Sequence, residues 1–229
     1  MIEPMTGVDN RVRLGRFPER GSHESTKIAA ILDEAMLCHV GVSLEGGIIV
    51  LPTIHARIGR HVYVHGSPVA KWMRALRSAP LCLTATIVDG IVLARSAFNH
   101  SLNYRSVVVI GKADRVDDVA ERRAALEALV EHICPGRWND TRQPTDSEIE
   151  ATDVLRVNLD VASAKVRTGP PVDFAFDRDA PYWAGVVPVS VHRGQPLCDP
   201  PAKDAGELPP YLEQVRSCGE APCNSSRTG

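Results

Sequence analysis

The fold is decided by residues 38–65, which run CHVGVSLEGGIIVLPTIHARIGRHVYVH. Three β-rich runs, residues 38–44, 47–56 and 61–65, are separated by short turns that contain glycine. Apolar and polar residues alternate within the runs, which is typical of antiparallel strands joined by tight turns. The stretch therefore predicts a β-meander.

Strand and helix patterns continue on both sides of this meander. They predict helices over residues 25–35, 68–77 and 117–134, and strands over residues 81–88, 90–98, 104–116 and 153–166. Ser25 is the predicted N-cap of the first helix, and Asp89-Gly90 between two apolar runs predicts a hairpin turn. In the third helix, one apolar stripe contains Val119, Leu126, Leu129, Val130 and Ile133. About six strands with few helices predict a mainly β protein, built as a small closed or partly closed barrel.

Composition excludes several classes of protein. The chain has 229 residues, of which 44% are hydrophobic and 24% charged, close to the average of soluble globular proteins and unlike collagen, disordered chains or membrane proteins. Its net charge of −2 gives no general reason to bind nucleic acid or an anionic membrane. Without a signal-peptide pattern at its start or an apolar run of about 18 residues, the chain is predicted to be cytoplasmic.

Proline divides the chain. Ten of the 17 prolines lie between Pro170 and Pro222. This distribution predicts an N-terminal arm over residues 1–24, a barrel domain over residues 25–169 and a proline-rich extension over residues 170–229. The extension is too apolar up to about residue 190 for a free linker, so that part is predicted to pack on the body or on a partner chain, and residues after about 195 are predicted to be mobile.

The cysteines give no sign of a metal site or a disulfide framework. The six cysteines contain no CxxC pair, and the first three stand singly among apolar neighbours. Buried free thiols are the expected state. No His, Cys or acidic residues have the spacing of a zinc site, so we predict no structural metal.

The third run of the meander has polar rings on one face. Val62 and Val64 share one face of the strand, while His61, Tyr63 and His65 share the other. Because the valine face suits the core, the face with the rings is expected to meet solvent, a ligand or another subunit.

The residues after this strand are typical of an anion site. Ser67 is placed as an N-cap, Pro68 as the first helical residue and Lys71 in the first turn, where the helix dipole disfavours a cation. Free backbone N–H groups, the Ser67 hydroxyl and the Lys71 ammonium would together suit a phosphate dianion. An ordinary capped helix with solvated charges explains the same spacing, so both interpretations stay open at this point.

A second polar cluster, residues 99–106, precedes an apolar strand. Such a cluster is costly unless it meets water, a partner or a ligand, and a plain surface loop is the alternative. The sequence contains no GxSxG, GxxxxGK[ST] or GxGxxG motif, which removes the usual signals of serine hydrolases, P-loop proteins and Rossmann folds. A cofactor that carries a phosphate and is bound by another fold remains a possible ligand.

Several motifs occur together in one order: LPT at 51–53, YVHGS at 63–67, TATIVDGIVLARSAF at 84–98 and NYRSVVV at 103–109. This set resembles the flavin-nucleotide-binding branch of the pyridoxamine 5′-phosphate oxidase-like family, which also contains the nitroimidazole-resistance proteins. The resemblance covers about residues 11–190. It implies an FMN-binding split β-barrel, a six-stranded antiparallel Greek-key barrel with peripheral helices, that forms a homodimer with flavin sites between the subunits.

The resemblance also implies which residues bind the cofactor. It places one group beside the flavin ring, one at the FMN phosphate and one on a flavin-contacting strand: Leu51, Pro52, Thr53 and Ile54; His65, Gly66, Ser67 and Lys71; and Asn103, Arg105 and Ser106. In the nitroreductase-like members a histidine near the flavin takes part in the reaction, which makes His65 the candidate catalytic residue. His55 stands where an aromatic or small residue is expected and would alter the floor of the pocket.

The expected function is an FMN-dependent oxidoreductase that reduces a small nitro or quinone-like substrate. The chain has fewer Arg and Lys residues at these motifs than the oxidases of the family, which disfavours pyridoxamine phosphate oxidation. An alternative is a non-catalytic carrier or sensor that binds flavin, deazaflavin or haem on the same barrel, with His39, His61, His65 or His100 as an axial ligand. A further alternative is a barrel that has kept only dimerisation.

Overall fold

The structure, a computed structural model, describes residues 9–197 and 208–212. The strands are β1 (Gly21–Ser22), β2 (Cys38–Leu44), β3 (Gly47–Thr53), β4 (Ala56–Ile58), β5 (His61–Gly66), β6 (Leu81–Leu93), β7 (Ser101–Gly111), β8 (Ala113–Arg115), β9 (Asp153–Asn158), β10 (Ala162–Arg167) and β11 (Gly185–Pro188). The α-helices are α1 (Ser25–Glu34), α2 (Lys71–Ser78), α3 (Val119–Ile133) and α4 (Asp146–Glu150). Much of the tail that is predicted to be mobile lies outside the described residues, and the domain boundaries stay a prediction.

The strands form two antiparallel sheets. The seven-stranded sheet has the order β1-β10-β7-β6-β2-β3, with β11 also paired to β6, and the four-stranded sheet has the order β4-β5-β9-β8. Three runs that the sequence predicts as single strands, residues 47–56, 104–116 and 153–166, each bend and continue in the other sheet. These bends make the corners of a barrel. The predicted mainly β architecture with peripheral helices is confirmed.

The core lies between the two sheets. Along β2 the inward side chains of Cys38, Val40 and Val42 are buried, as the alternating pattern predicts. Val62 and Val64 of β5 are also buried, which confirms the predicted core face of that strand. Helices α1 and α2 cover the core with residues at helical spacing: Ile28, Ile31 and Leu32 from α1, and Met73 and Leu76 from α2.

The predicted hairpin at Asp89-Gly90 is wrong. Strand β6 runs through both residues, with only a shift in its pairing to β7 between Val88 and Gly90. A Cβ atom on residue 90 would lie 2.9 Å from Cγ1 of Val186 and 3.2 Å from the carbonyl oxygen of Val187. Glycine therefore leaves room for β11 to pair with β6, and does not turn the chain.

The start of α2 also differs from the prediction. The helix begins at Lys71, with the extended residue Ala70 as its N-cap and no side-chain cap. Ser67 instead begins a separate turn, in which the Ala70 N–H donates to the Ser67 carbonyl at 3.0 Å. Val69, which the pattern places on the apolar stripe, is 76% exposed. The later residues Met73, Ala75 and Leu76 are buried and fix the helix on the core.

Two histidines hold the C-terminal end of α1. The Nε2 of His55 lies 2.9 Å from the Leu32 carbonyl oxygen, and the Nε2 of His132 lies 2.8 Å from that of Ala35. Because a carbonyl only accepts, each Nε2 must carry the proton. The two rings are 4.9 Å apart. These bonds satisfy carbonyls that every helix end leaves free.

At the other end of α1, the predicted Ser25 cap is wrong, since Glu24 is the N-cap and makes no side-chain cap bond.

His55 is fully buried, and its burial lowers the pKa of the imidazole to about 4. Its side chain thus anchors α1 and is absent from the cavity described below.

A buried carboxylate on β9 forms ion pairs with helix α2 and with the edge strand β8. The side chain of Asp153 on β9 is fully buried, 2.6 Å from Arg77 and 3.0 Å from Arg115. We expect Asp153→Asn to lower the free energy of unfolding by about 2 kcal/mol, because two guanidinium groups lose their counter-charge. Urea unfolding measures this. The control is Asp160→Asn in the exposed pair with Arg60, where about 0.5 kcal/mol or less is expected; equal losses in both variants would contradict the assignment.

Candidate functional site

The edge strand β3 is open to a ligand. Among the described strands it pairs with β2 alone, so its outer edge exposes backbone donors and acceptors. Ile48 and Val50 of β3 are 80% and 60% exposed, while Leu51 is turned inward and half-buried. Pro52 is compatible with such an edge because it needs no ladder partner for a backbone N–H. This edge presents an apolar surface with free backbone groups.

The turn between β5 and α2 keeps the chemistry of an anion site although its helix starts later than predicted. Ser67 is exposed, and the first N–H groups of α2 have no side-chain cap. Lys71 contacts Glu45 at 3.1 Å, and both side chains are about two-thirds exposed. Such an exposed pair is weak, so a phosphate could replace the carboxylate. Gly66 has a packing explanation, since a Cβ there would lie 2.9 Å from Cγ of Met73.

The predicted flavin-contacting strand is β7, where the polar side chains are already bonded within the chain. Asn103 is buried, donates to the Gly169 carbonyl at 3.1 Å and accepts from Arg167. Arg105 is paired with Glu34 and Asp89, and these two carboxylates raise the pKa of the guanidinium. The charge of Arg105 is therefore already compensated within the chain.

The predicted residues on β3 and those on β7 do not come together within one chain. Strands β6 and β2 separate β7 from β3, a distance of about 14 Å at the usual strand spacing. Ser106, moreover, points to the opposite face of the sheet from Asn103 and Arg105. A single flat ring system is therefore too short to contact both β3 and β7 within one chain.

A separate cavity of about 640 Å³ lies between β5 and α3. Its walls combine the inner face of α3, the loop between α3 and α4, and the ends of two strands: Ile54, His65, Leu126, Leu129, Val130, Ile133, Cys134, Arg137, Trp138, Thr141, Arg142, Pro144, Glu148 and Thr152. Sequence reasoning placed only Ile54 and His65 in a binding site. The apolar stripe of α3 is visible in the sequence, but no pattern indicated what it faces.

The strand face with polar rings is only partly open. Tyr63 is buried, and its hydroxyl donates to Glu121 of α3 at 2.8 Å, so the expectation that this face avoids the core is wrong at Tyr63. His65 is half-buried on the cavity wall. Its Nδ1 is buried and has no hydrogen-bond partner among the described residues. Burial lowers the pKa of His65, which keeps the imidazole neutral near pH 7.

Two arginines lie on the wall of the cavity, each beside a carboxylate of the same chain. Arg137 and Arg142 are exposed on the loop after α3. Arg142 makes two bonds to Glu148, at 2.9 and 2.8 Å, and Arg137 contacts Asp140 at 3.4 Å. The cavity thus has apolar walls, a neutral imidazole and two exposed guanidinium groups that are paired with carboxylates. Exposed pairs of this kind are weak, so an anionic group of a ligand could replace a carboxylate.

The other candidate histidines lie elsewhere. His39 is exposed on β2, His100 bonds through Nδ1 to the Ser96 carbonyl at 3.0 Å, and His61 is half-buried near the start of β5. In the ranges 9–197 and 208–212, no three His, Cys, Asp or Glu side chains gather to hold a metal ion. No helix in the described part of the chain has the length and hydropathy to cross a membrane.

The comparisons with known proteins cover most of the chain. The profile of the family described as pyridoxamine 5′-phosphate oxidase matches residues 24–166. The solved structure of the flavocytochrome Anf3 from Azotobacter vinelandii is 36% identical, with a TM-score of 0.85 over 90% of this chain and 96% of that one. The FAD and haem binding protein from Mycobacterium smegmatis is 32% identical, with a TM-score of 0.81 over 86% and 97%.

A third structure is more distant. A 5-nitroimidazole antibiotic resistance protein from Bacteroides thetaiotaomicron is 25% identical, with a TM-score of 0.54 over 64% of this chain and 86% of that one. No curated protein matches the chain.

Proposed function

Because this chain belongs to the pyridoxamine 5′-phosphate oxidase family, we propose that it is a homodimeric redox protein with two cofactors, a flavin nucleotide between the subunits and a haem in the cavity beside α3. The fold is the split β-barrel that the sequence predicts. The observation that carries the proposal is His65, a neutral imidazole on the wall of a mainly apolar cavity, whose Nδ1 has no hydrogen-bond partner among the described residues, in a chain similar over most of its length to a flavocytochrome.

The flavin phosphate would bind at the start of α2. The Ser67 hydroxyl, the uncapped N–H groups of the helix and the Lys71 ammonium all lie there. These donors recognise the phosphate that FMN and FAD share. The open edge of β3 at Leu51–Ile54 would lie along the flavin ring, where free backbone groups can bond to its polar edge.

A second copy would complete the flavin site. Within one chain, Asn103 and Arg105 lie too far from β3 to contact the same ring. The exposed outer face of the large sheet, which includes Ile48 and Val50, offers an apolar surface for a partner subunit. We therefore assign β3 and the Ser67–Lys71 turn to one subunit's half of the site and β7 to the other.

The cavity residues suit haem. A volume of about 640 Å³ lies within the usual range of cofactor sites, roughly 300–1,000 Å³. Apolar side chains of α3 would contact the macrocycle, His65 would bind the iron through an imidazole nitrogen, and Arg137 and Arg142 would bind the carboxylates of the haem. An imidazole must be neutral to bind iron, and the lowered pKa of His65 keeps it neutral near pH 7.

In such a protein the flavin supplies two-electron chemistry and the haem supplies one-electron transfer. The chain's own part is to exclude water with the apolar walls of α3, to hold the imidazole in one orientation and to balance negative charge at the mouth. The electron acceptor is proposed to be a small nitro or quinone-like molecule.

A second candidate is a flavin-dependent reductase without haem. The likeness to a nitroimidazole resistance protein favours it, as does the position of His65 next to Ile54 at the end of β3. In that case His65 would contact substrate. A Soret band in the isolated protein separates the two candidates, because flavin alone gives none.

The flavin half is tested by Lys71→Glu. We expect flavin affinity to fall about thirtyfold, because a repulsive charge replaces an attractive one beside the phosphate. Titration of the flavin-free protein with FMN and with FAD, followed by fluorescence quenching, measures the change. The dimer should persist in size-exclusion chromatography.

Lys112→Glu is the matched control, since Lys112 is an exposed lysine between β7 and β8, outside the proposed site. Its flavin affinity should equal that of the wild type. Unchanged affinity in Lys71→Glu would show that the phosphate binds elsewhere.

A further inference from the structure

The C-terminal extension returns to the mouth of the cavity. Residues 208–212, here called the tail segment, form a short turn in which the Leu212 N–H donates to the Pro209 carbonyl at 3.0 Å. Sequence reasoning placed this segment in the mobile part of the extension, yet Tyr211 is half-buried and contacts the loop between α3 and α4. More than 60 residues of sequence separate the two, so the contact is tertiary.

Tyr211 bonds to two charged residues of that loop, Arg137 and Asp140. Its hydroxyl donates to Oδ2 of Asp140 at 2.7 Å and accepts from a guanidinium N–H of Arg137 at 2.9 Å. Arg137 and Asp140 contact each other directly at 3.4 Å, a longer distance than either bond to the hydroxyl. One hydroxyl thus joins two side chains that otherwise interact weakly.

Gly136 makes room for the tyrosine ring. It has a φ of 88°, and a Cβ there would lie 3.2 Å from both Cβ and Cγ of Tyr211. The backbone of the loop is fixed from the other side by Glu131, whose carboxylate accepts from the N–H groups of Gly136 and Trp138, both at 2.7 Å. The tail segment therefore packs on a loop whose backbone is held by Glu131 and whose glycine leaves space for the tyrosine ring.

The same loop lines the cavity. Cys134, Arg137, Trp138, Thr141 and Arg142 all contribute to its wall or mouth. The contact with Tyr211 leaves the other N–H donors of Arg137 available, since a guanidinium has five. Because Asp140 accepts a hydrogen bond from the Tyr211 hydroxyl, this carboxylate depends less on Arg137 as its donor. The cation at the mouth is thereby held in place for an anionic group of the ligand.

We propose that the tail segment is a clamp on the cavity: Tyr211 fixes the loop that carries Arg137 and Trp138, and so controls how fast the occupant of the cavity is released. This inference rests on the proposed haem site. The occupant's anionic groups meet Arg137, and its apolar part is covered by the loop. Loosening the loop opens the route of exit and leaves the flavin site, on β3 and α2, unaffected.

The test is Tyr211→Phe, which removes only the hydroxyl and keeps the ring on Gly136. We expect haem to transfer to an excess of haem-free myoglobin about tenfold faster than from the wild type, because one charge-assisted bridge is lost. Amide hydrogen exchange over residues 136–142 should also be faster, and flavin content should be unchanged. Tyr182→Phe is the control, since Tyr182 is a 66% exposed tyrosine in the same extension and is absent from the cavity wall.

The exchange measurement separates this proposal from the haem assignment. A wild-type protein that binds no haem would overturn the assignment, while faster exchange in Tyr211→Phe would still support a clamp on the cavity loop. Exchange over residues 136–142 that is the same in Tyr211→Phe, Tyr182→Phe and the wild type would overturn the clamp. Haem release that is unchanged in Tyr211→Phe would do so as well.

Discussion

Replacing His65 with alanine is expected to remove the haem and leave the flavin in place. The imidazole lies on the wall of an apolar cavity, and its Nδ1 has no partner in the described part of the chain. Without an axial nitrogen, haem is held only by apolar contacts and by the arginines at the mouth. We expect its affinity to fall by about a hundredfold or more, and the Soret band of the purified protein to disappear.

His61→Ala is the matched control for this prediction. His61 is on the same face of β5, but it does not line the cavity. The haem content of His61→Ala should equal that of the wild type, and both variants should keep the flavin absorbance. A Soret band of normal intensity in His65→Ala, or an equal loss in both variants, would contradict the assignment of the axial ligand.

Mild acid is expected to destabilise the fold through His55. Burial lowers the pKa of this imidazole to about 4 in the folded protein, whereas the unfolded chain has the ordinary value of 6.5. Between these values the unfolded state binds the extra proton, so the stabilisation is complete above pH 6.5 and is lost as the pH falls towards 4. The gap corresponds to about 3 kcal/mol, of which about 2 kcal/mol is lost between about pH 7 and pH 4.5.

Urea unfolding at several pH values measures this effect. His55→Gln is the control, because a glutamine amide can donate to the Leu32 carbonyl as Nε2 does, but it does not titrate. The variant should lose about 2 kcal/mol less than the wild type over the same pH interval. Parallel pH profiles for the two proteins would mean that other groups cause the acid sensitivity.

Local patterns predicted the elements that local forces determine. The bounds of β2, Cys38–Leu44, agree with the prediction because alternation over seven residues and a glycine turn fix such a strand without help from distant residues. The same alternation placed His65 on the strand face opposite Val62 and Val64, whereas its role as a candidate site residue came from the family resemblance.

Features that depend on distant contacts were missed. Asp89-Gly90 has the sequence of a hairpin turn, but β11, almost 100 residues later, pairs at that point and requires the glycine for space. Ser67 has the sequence of an N-cap, but the packing of Met73 and Leu76 fixes a helix that begins four residues later. In both cases tertiary contacts outweigh a local preference of about 1 kcal/mol.

The cavity could be predicted only in part. The apolar stripe of α3 was recognised from its spacing. A stripe that packs on the core and a stripe that lines a cavity have the same spacing, so the sequence does not distinguish them. Arg137 and Trp138 follow a Pro-Gly pair in a loop and have no periodic pattern, so they gave no signal. They become candidates only because the fold brings that loop opposite His65, more than 70 positions earlier in the chain.

The most direct test of the two-cofactor proposal is the absorption spectrum of the protein as isolated, with mass spectrometry of the ligands it releases. The proposal predicts flavin bands together with a Soret band, about one flavin and one haem per chain, and the masses of haem and of FMN or FAD. A colourless protein that gains no spectrum when FMN, FAD or haem is added would contradict it.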